Sequence, residues 1–167
     1  LFVNMQALSK GARRPKDFDK YDVKKIGILG AGLMGAGIAY VTAKAGIEVV
    51  LIDMDQAAAE KGKEYSTKIL DKQLSKKKTT EEKKEKLLSL ITPTTDYSLL
   101  KGADLIVEAV FENRDIKADV TAKAEAQISE TAVFGSNTST LPITGLAQTS
   151  SRPATVSYTH LRAHETR

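Results

Sequence analysis

The chain has no cysteine and no tryptophan, and only two histidines among 167 residues. Without cysteine there is neither a disulfide framework nor a thiolate metal site, and the composition fits a reducing compartment. Both histidines, His160 and His164, fall among the last eight residues, so everything from Leu1 to Ser157 works without an imidazole. Long apolar runs are missing too: stretches such as Val49 to Ile52 and Leu105 to Val107 fall far short of the roughly 20 residues a membrane span requires, and no span is expected. Charge of one sign is also absent. With 25 basic residues against 21 acidic ones, the net charge of +4 does not imply a nucleic-acid partner. What is present, 41% apolar and 28% charged residues, describes a soluble globular domain able to bury a core.

The chain opens on Leu1 with no basic start followed by an apolar run, so neither a signal peptide nor a transit peptide is read there. The start is expected to lie inside a longer chain. Residues 10–23 are polar, punctuated by Gly11 and Pro15, and read as part of a linker over 1–23. At the other end, Val156 to Arg167 shows no period and no apolar face and resembles a translated sequencing adapter. A foreign tail is expected over 156–167, the alternative being an ordinary polar tail. One domain is expected over 24–155, stopping where an α/β domain usually continues.

Between these limits strands alternate with helices. Ile26 to Leu29 reads as a short buried strand, and Gly30-Ala-Gly-Leu-Met-Gly35 follows at once. A helix then runs to about Ala45 with a stripe of Met34, Ile38, Val41 and Ala45, capped by Gly46. Ile47 to Ile52 is the next strand, closed by Asp53, completing a βαβ unit. Residues 56–89 carry ten lysines and predict a solvated pair of helices divided near Lys78, the second capped by Thr80. Short strands follow at Ile91 to Thr95, Leu105 to Ala109 and Ala132 to Phe134, with a helix striped by Ile116, Val120, Ala124 and Ile128 before the last of them. This alternation predicts an α/β doubly wound Rossmann fold with a mainly parallel sheet and a helical-pair insertion.

Three motifs carry chemistry. In the first, Gly30 allows the tight turn out of the strand, Gly32 leaves room for a pyrophosphate to approach the backbone, and Gly35 lets the helix pack closely. Helix N-terminal N–H groups and their partial positive charge then hold phosphate. The spacing alone is weak, but here it follows a strand, opens a helix and precedes Asp53, 18 residues after Gly35. Asp53 suits the adenosine ribose hydroxyls and repels a 2′-phosphate. Met54 beside it supplies no compensating arginine, so NAD is favoured over NADP. The second motif is Val107-Glu-Ala-Val-Phe-Glu-Asn113 with Lys117, at a strand end where open α/β sheets bind ligands. Its two acids, four residues apart, fit acid–base chemistry, a ribose contact or helix-start charges, and Asn113 fits a helix N-cap. The third, Gly135-Ser-Asn-Thr-Ser-Thr140, fits either a substrate-oxygen site or a turn satisfying its own backbone.

Together, Gly30-Ala-Gly-Leu-Met-Gly-Ala-Gly-Ile-Ala-Tyr40, Asp53, Glu108-Ala-Val-Phe-Glu-Asn113 and Ser136-Asn-Thr-Ser-Thr140 closely resemble the NAD-binding domain of the L-3-hydroxyacyl-CoA dehydrogenase family. The flavour is that of the multifunctional fatty-acid oxidation enzymes. The resemblance implies NAD as cofactor and hydride transfer from C3 of an L-3-hydroxyacyl-CoA in β-oxidation. It assigns Gly30, Gly32, Met34 and Gly35 to the pyrophosphate and Asp53 to the adenosine ribose. Glu112 falls near the nicotinamide ribose, Lys117 near both NAD and the CoA substrate, and Ser139 beside the substrate's 3-oxygen as a catalytic contact. It also implies an upstream enoyl-CoA hydratase domain joined through residues 1–23, a downstream all-α domain, an oligomeric parent and a cytoplasmic, bacterial setting. The family's histidine base lies in a Gly-x-His-Phe-Phe segment. His160 stands at the matching distance, 21 residues after Ser139, but Tyr158-Thr-His-Leu-Arg162 does not match that segment, so the chain is expected to bind NAD without useful turnover. Another NAD-dependent 3-hydroxy acid or 3-hydroxybutyryl-CoA dehydrogenase, a non-catalytic NAD module and a lysine-based anion binder are the remaining readings.

Overall fold

The computed structural model describes residues 21–158 together with Gln6. Most of the expected linker, all of the tail from residue 159 onward, and both histidines lie outside the described residues.

Strand β1 (Lys25–Leu29) leads through the glycine turn into helix α1 (Leu33–Lys44), then strand β2 (Glu48–Ile52). Helices α2 (Gln56–Ser75) and α3 (Glu81–Ser89) follow, then β3 (Ile91–Thr94), a 3-10 turn (Tyr97–Leu100) and β4 (Leu105–Glu108). Helix α4 (Arg114–Glu125), β5 (Val133–Ser136), the short α5 (Ile143–Ala147), a 3-10 turn (Pro153–Thr155) and β6 (Val156–Tyr158) complete the order. The strands form one six-stranded sheet, β3-β2-β1-β4-β5-β6, with each neighbouring pair parallel. This is the doubly wound Rossmann order, whose direction of winding switches between β1 and β4.

Apolar residues alternate along the strands, and each face is covered. Ile26, Ile28, Val49 and Leu51 face α1, packing with Ala39 and Ala43, while Leu29, Val50, Ile52 and Ile106 face α4, packing with Ala124 and Leu100. The α2–α3 pair forms as expected. Asp55 caps α2 by accepting from the Ala58 N–H at 2.7 Å, Thr80 caps α3, and the Lys84 ammonium joins Asp71 at 2.8 Å to Glu81 at 2.9 Å.

Three expectations are corrected. The buried face of α1 is Gly35, Ala36, Ala39, Thr42 and Ala43, whereas Met34 and Val41 are 49% and 58% exposed. Small residues, not the largest ones, face inward because the helix backbone lies close against the sheet. In the α4 stripe Val120, Ala124 and Ile128 pack inward as expected, but Ile116 is exposed, and Lys117 and Thr121 are buried in its place. The sheet also runs past the expected boundary at 155, since Val156–Tyr158 pair with β5, Phe134 against Val156 and Ser136 against Tyr158.

The register places Thr94, Ile52, Leu29, Glu108, Ser136 and Tyr158 in a single row across the C-terminal edge of the sheet. Each sequence motif begins within one residue of that row. Among the described residues, no helix is long and apolar enough to cross a membrane.

Candidate functional site

At the β1 end of this edge the site is built from backbone and from missing side chains. Gly30 has φ +94°, and a Cβ there would stand 2.6 Å from the Ala109 carbonyl oxygen, so the turn admits no side chain. At Gly35 a Cβ would meet the Gly30 carbonyl oxygen at 1.8 Å. Gly32 differs: it is the N-cap of α1, offers no side-chain acceptor, and a Cβ there would meet nothing within 4 Å. The room beside Gly32 opens on the first-turn N–H groups of α1, which have no intrahelical partner. A cleft of about 400 Å³ adjoins it, lined by Ala31, Gly32, Asp53, Lys61, Gly62 and Tyr65 among others. Asp53 accepts from the Ala31 N–H at 2.6 Å through Oδ2 and from the Met54 N–H at 2.7 Å through Oδ1. The acid is thereby fixed to the turn, with Met54 projecting into solvent. A space at the helix N-terminus, an acid at its rim and no bulk between them fit a dinucleotide.

Two loops meet beyond the β4 and β5 ends. Glu112 Oε1 accepts from the Ser139 N–H at 2.6 Å, the Thr138 hydroxyl at 2.9 Å and the Thr140 N–H at 3.2 Å. Burial alone would raise its pKa, but the Ser139 N–H, the Lys117 ammonium and the Thr138 hydroxyl together hold it down to about 2. Ser139 itself lies at the surface. Thr138 also accepts from the Leu141 N–H at 3.1 Å, so the loop closes on itself as well as on Glu112. Asn113 is a cap: its side-chain oxygen accepts from the Asp115 and Ile116 N–H groups at 2.9 and 3.1 Å.

Beneath these loops lies a buried charge cluster. The Lys117 ammonium donates to Glu108 Oε1 at 2.7 Å and Oε2 at 2.9 Å, and lies 3.1 Å from Glu112 Oε2. Both the Lys117 and the Glu108 side chain are 2% exposed. The Ser136 hydroxyl donates to Glu108 Oε2 at 2.6 Å and the Val110 N–H donates to Oε1 at 2.8 Å, leaving each oxygen of the buried carboxylate paired.

The model of the 3-hydroxyacyl-CoA dehydrogenase NAD-binding domain matches residues 25–163. The chain belongs to that family. Its fold is similar to (S)-3-hydroxybutyryl-CoA dehydrogenase from Ralstonia eutropha, 36% identical with a TM-score of 0.79, covering 84% of this chain and 50% of that one. A 3-hydroxybutyryl-CoA dehydrogenase from Escherichia coli is 30% identical with a TM-score of 0.79, covering 86% of this chain and 30% of that one. The dehydrogenase part of multifunctional enzyme 1 from C. elegans is 28% identical with a TM-score of 0.74, covering 87% and 33%. This chain thus spans half or less of the length of each of these structures.

In this NAD-binding domain the expected site residues fall into two groups along one edge. Gly30, Gly32, Met34, Gly35 and Asp53 adjoin the cleft or the turn beside it, and Glu112, Ser139 and Lys117 converge beyond β4 and β5. Lys117 lies below the surface of the second group, its ammonium turned inward between two carboxylates. Sequence reasoning passed over two residues. Gly62 lets α2 close on the turn, since a Cβ there would stand 2.6 Å from the Ala31 Cβ, and a glycine inside a lysine-rich helix was the available signal. Glu108 was quoted only as part of its motif, although an acid ending an apolar strand asks for a buried partner.

Proposed function

We propose that this domain forms the cofactor half of an L-3-hydroxyacyl-CoA dehydrogenase of fatty-acid β-oxidation, oxidising the C3 hydroxyl of an acyl-CoA. The observation that carries the reading is the convergence of Glu112 and the Ser139 loop on the same sheet edge as the Gly30–Gly35 turn. NAD, when bound, supplies the hydride acceptor. Gly32, Met34 and Gly35 hold the pyrophosphate through backbone N–H groups, Gly30 shapes the turn while its own N–H donates to the Ile52 carbonyl at 2.8 Å, and Asp53 turns from Ala31 to the adenosine ribose. Glu112, kept ionised, faces the nicotinamide ribose, and Lys117 acts on the site through it. The Ser139 hydroxyl donates to the substrate's 3-oxygen. Removal of the hydroxyl proton belongs to a histidine by resemblance; His160, at the matching distance, lies outside the described residues. The enoyl-CoA hydratase neighbour, the all-α partner domain, the oligomer and the cytoplasmic setting are parts of the same reading; the likeness to the dehydrogenase part of a multifunctional enzyme supports only that further domains accompany this one.

The test is a fluorescence titration of the chain with NADH and with NADPH. NADH is expected to bind more tightly, Asp53→Ala to narrow the difference, and turnover of acetoacetyl-CoA with NADH to be negligible in this chain. Equal affinity for the two nucleotides, or none for either, sinks the reading. A second reading, a dehydrogenase specific for 3-hydroxybutyryl-CoA, is favoured by the similarity to the R. eutropha and E. coli enzymes; a chain-length series of substrates on the full-length parent separates the two.

A further inference from the structure

The buried cluster connects the interior of the sheet to the Ser139 backbone through alternating charges. Glu108 stands in register between Leu29 and Ser136, on the row from which the site loops depart. Its carboxylate grips the Lys117 ammonium with both oxygens, and Lys117 in turn reaches Glu112, whose other oxygen accepts from the Ser139 and Thr140 N–H groups. Glu108 and Lys117 also hold Val110 from both sides, accepting from its N–H at 2.8 Å and donating to its carbonyl at 3.4 Å. Val110 lies two residues before Glu112, so the same pair fixes the loop that carries that acid. The void beside Glu108 and Lys117 measures about 10 Å³, at the lower limit for one water, so little screens that pair, while Glu112 stands at the surface end of the cluster.

We propose that Glu108 is a positioning residue for the Ser139 loop: by fixing Lys117 beneath Glu112, it sets where the Glu112 carboxylate receives the Ser139 and Thr140 N–H groups and hence where the Ser139 side chain stands. Three charges of alternating sign explain why an acid and a lysine are kept in a core that two apolar residues would fill. A buried ion pair is a poor source of stability compared with well-packed apolar side chains, but it fixes geometry because each partner is held in several directions. The inference rests on the reading of Ser139 as a substrate contact, but the loop geometry is measurable without substrate.

The experiment compares amide solvent-exchange rates by NMR in the wild-type chain, in Glu108→Gln, and in the double variant Glu108→Gln with Lys117→Met, whose interior is neutral. Exchange at Ser139 and Thr140 is expected to accelerate about tenfold or more in both variants, the scale set by losing one charge-assisted hydrogen bond, while Val50 and Ile106 in the sheet keep their protection. In the double variant the Glu112 carboxyl is expected to titrate well above its wild-type value of about 2, moving toward its ordinary 4.5. A role of Glu108 confined to core packing would leave the two loop amides of Glu108→Gln at their wild-type rates, whereas the Glu112 titration in the double variant moves in either case because its Lys117 partner is gone. If Glu108→Gln alone does not fold, Glu108→Asp, which keeps the charge but withdraws it from Lys117 by one methylene, decides by the same rates. Unchanged exchange at Ser139 and Thr140 in a folded variant overturns the proposal. NADH titration of the same samples separates the two readings: a wild-type chain that fails to bind NADH sinks the dinucleotide reading and leaves the loop result standing.

Discussion

The two halves of the sheet edge are built by opposite means. Around β1 and β2 the site is made of backbone and of side chains that are absent, with Gly30, Gly32 and Gly35 clearing the space and a single acid, Asp53, at its rim. Around β4 and β5 it is made of charged side chains, with Glu108 and Lys117 fully buried and Glu112 bound to a neighbouring loop. The first half is fixed by steric exclusion, which acts over tenths of an ångström and ignores pH. The second is fixed by electrostatics in a dry environment, which is strong only while every charge keeps its partner.

The sharpest way to break this contrast is Lys117→Met. It leaves Glu108 as an unpaired buried carboxylate and is expected to cost about 3–5 kcal/mol, read as a lowered denaturation midpoint, with most of the loss recovered when Glu108→Gln is added. Recovery that does not occur would mean the lysine stem, not the charge, stabilises this half. Next in size are two alanine substitutions in the turn. Gly35→Ala drives a Cβ into the Gly30 carbonyl and is expected to cost about 1–3 kcal/mol as well as NADH binding. Gly32→Ala meets no protein atom and has an ordinary φ of −63°, so only the poorer N-cap preference of alanine is felt and stability is expected to fall by about 0.5–1 kcal/mol, less than at Gly35, while NADH binding weakens. A stability loss at Gly32 equal to that at Gly35 would remove the distinction between space kept for packing and space kept for a ligand.

Acid should separate the halves as well. Glu112 has a folded-state pKa of about 2 against an ordinary value of 4.5, so it contributes stability that is fully present above about pH 4.5 and is lost as pH falls toward 2. An acid titration of wild type against Glu112→Gln should therefore converge across that window; curves that stay parallel would show that the carboxylate charge contributes nothing. The narrowest effect is expected at Asn113→Ala, about 1 kcal/mol from the lost cap of α4, measured in urea, with NADH affinity unchanged. A loss of affinity there would give Asn113 a part in the site beyond capping.

Much of this was legible in the chain. Strand and helix periods marked the βαβ unit because they depend on neighbours a few residues apart, and the glycine turn was readable because a turn, a close approach and a helix start each demand the same small residue. The face of α1 was misread for a physical reason. Periodicity weights large apolar side chains, whereas a helix lying close to a sheet buries Ala36, Ala39 and Ala43 and turns Met34 and Val41 outward. Within the charged motif the residue types were picked out, but nothing in their spacing distinguishes an exposed lysine from one buried between two carboxylates.

The sequence alone therefore determined the alternation of strand and helix, the phosphate-type turn and the placement of Asp53 after the second strand, all consequences of local sterics and hydrogen bonding, and it offered Asn113 as a cap that the structure then showed. Only the tertiary structure decided that Thr94, Ile52, Leu29, Glu108, Ser136 and Tyr158 share one row, and that Glu108, Lys117 and Glu112 form a single chain of charge under Ser139. Pairing between strands separated by dozens of residues sets that row. A lysine is driven inward only when the fold has already brought the acids that compensate its desolvation, and their positions are a property of the assembled sheet.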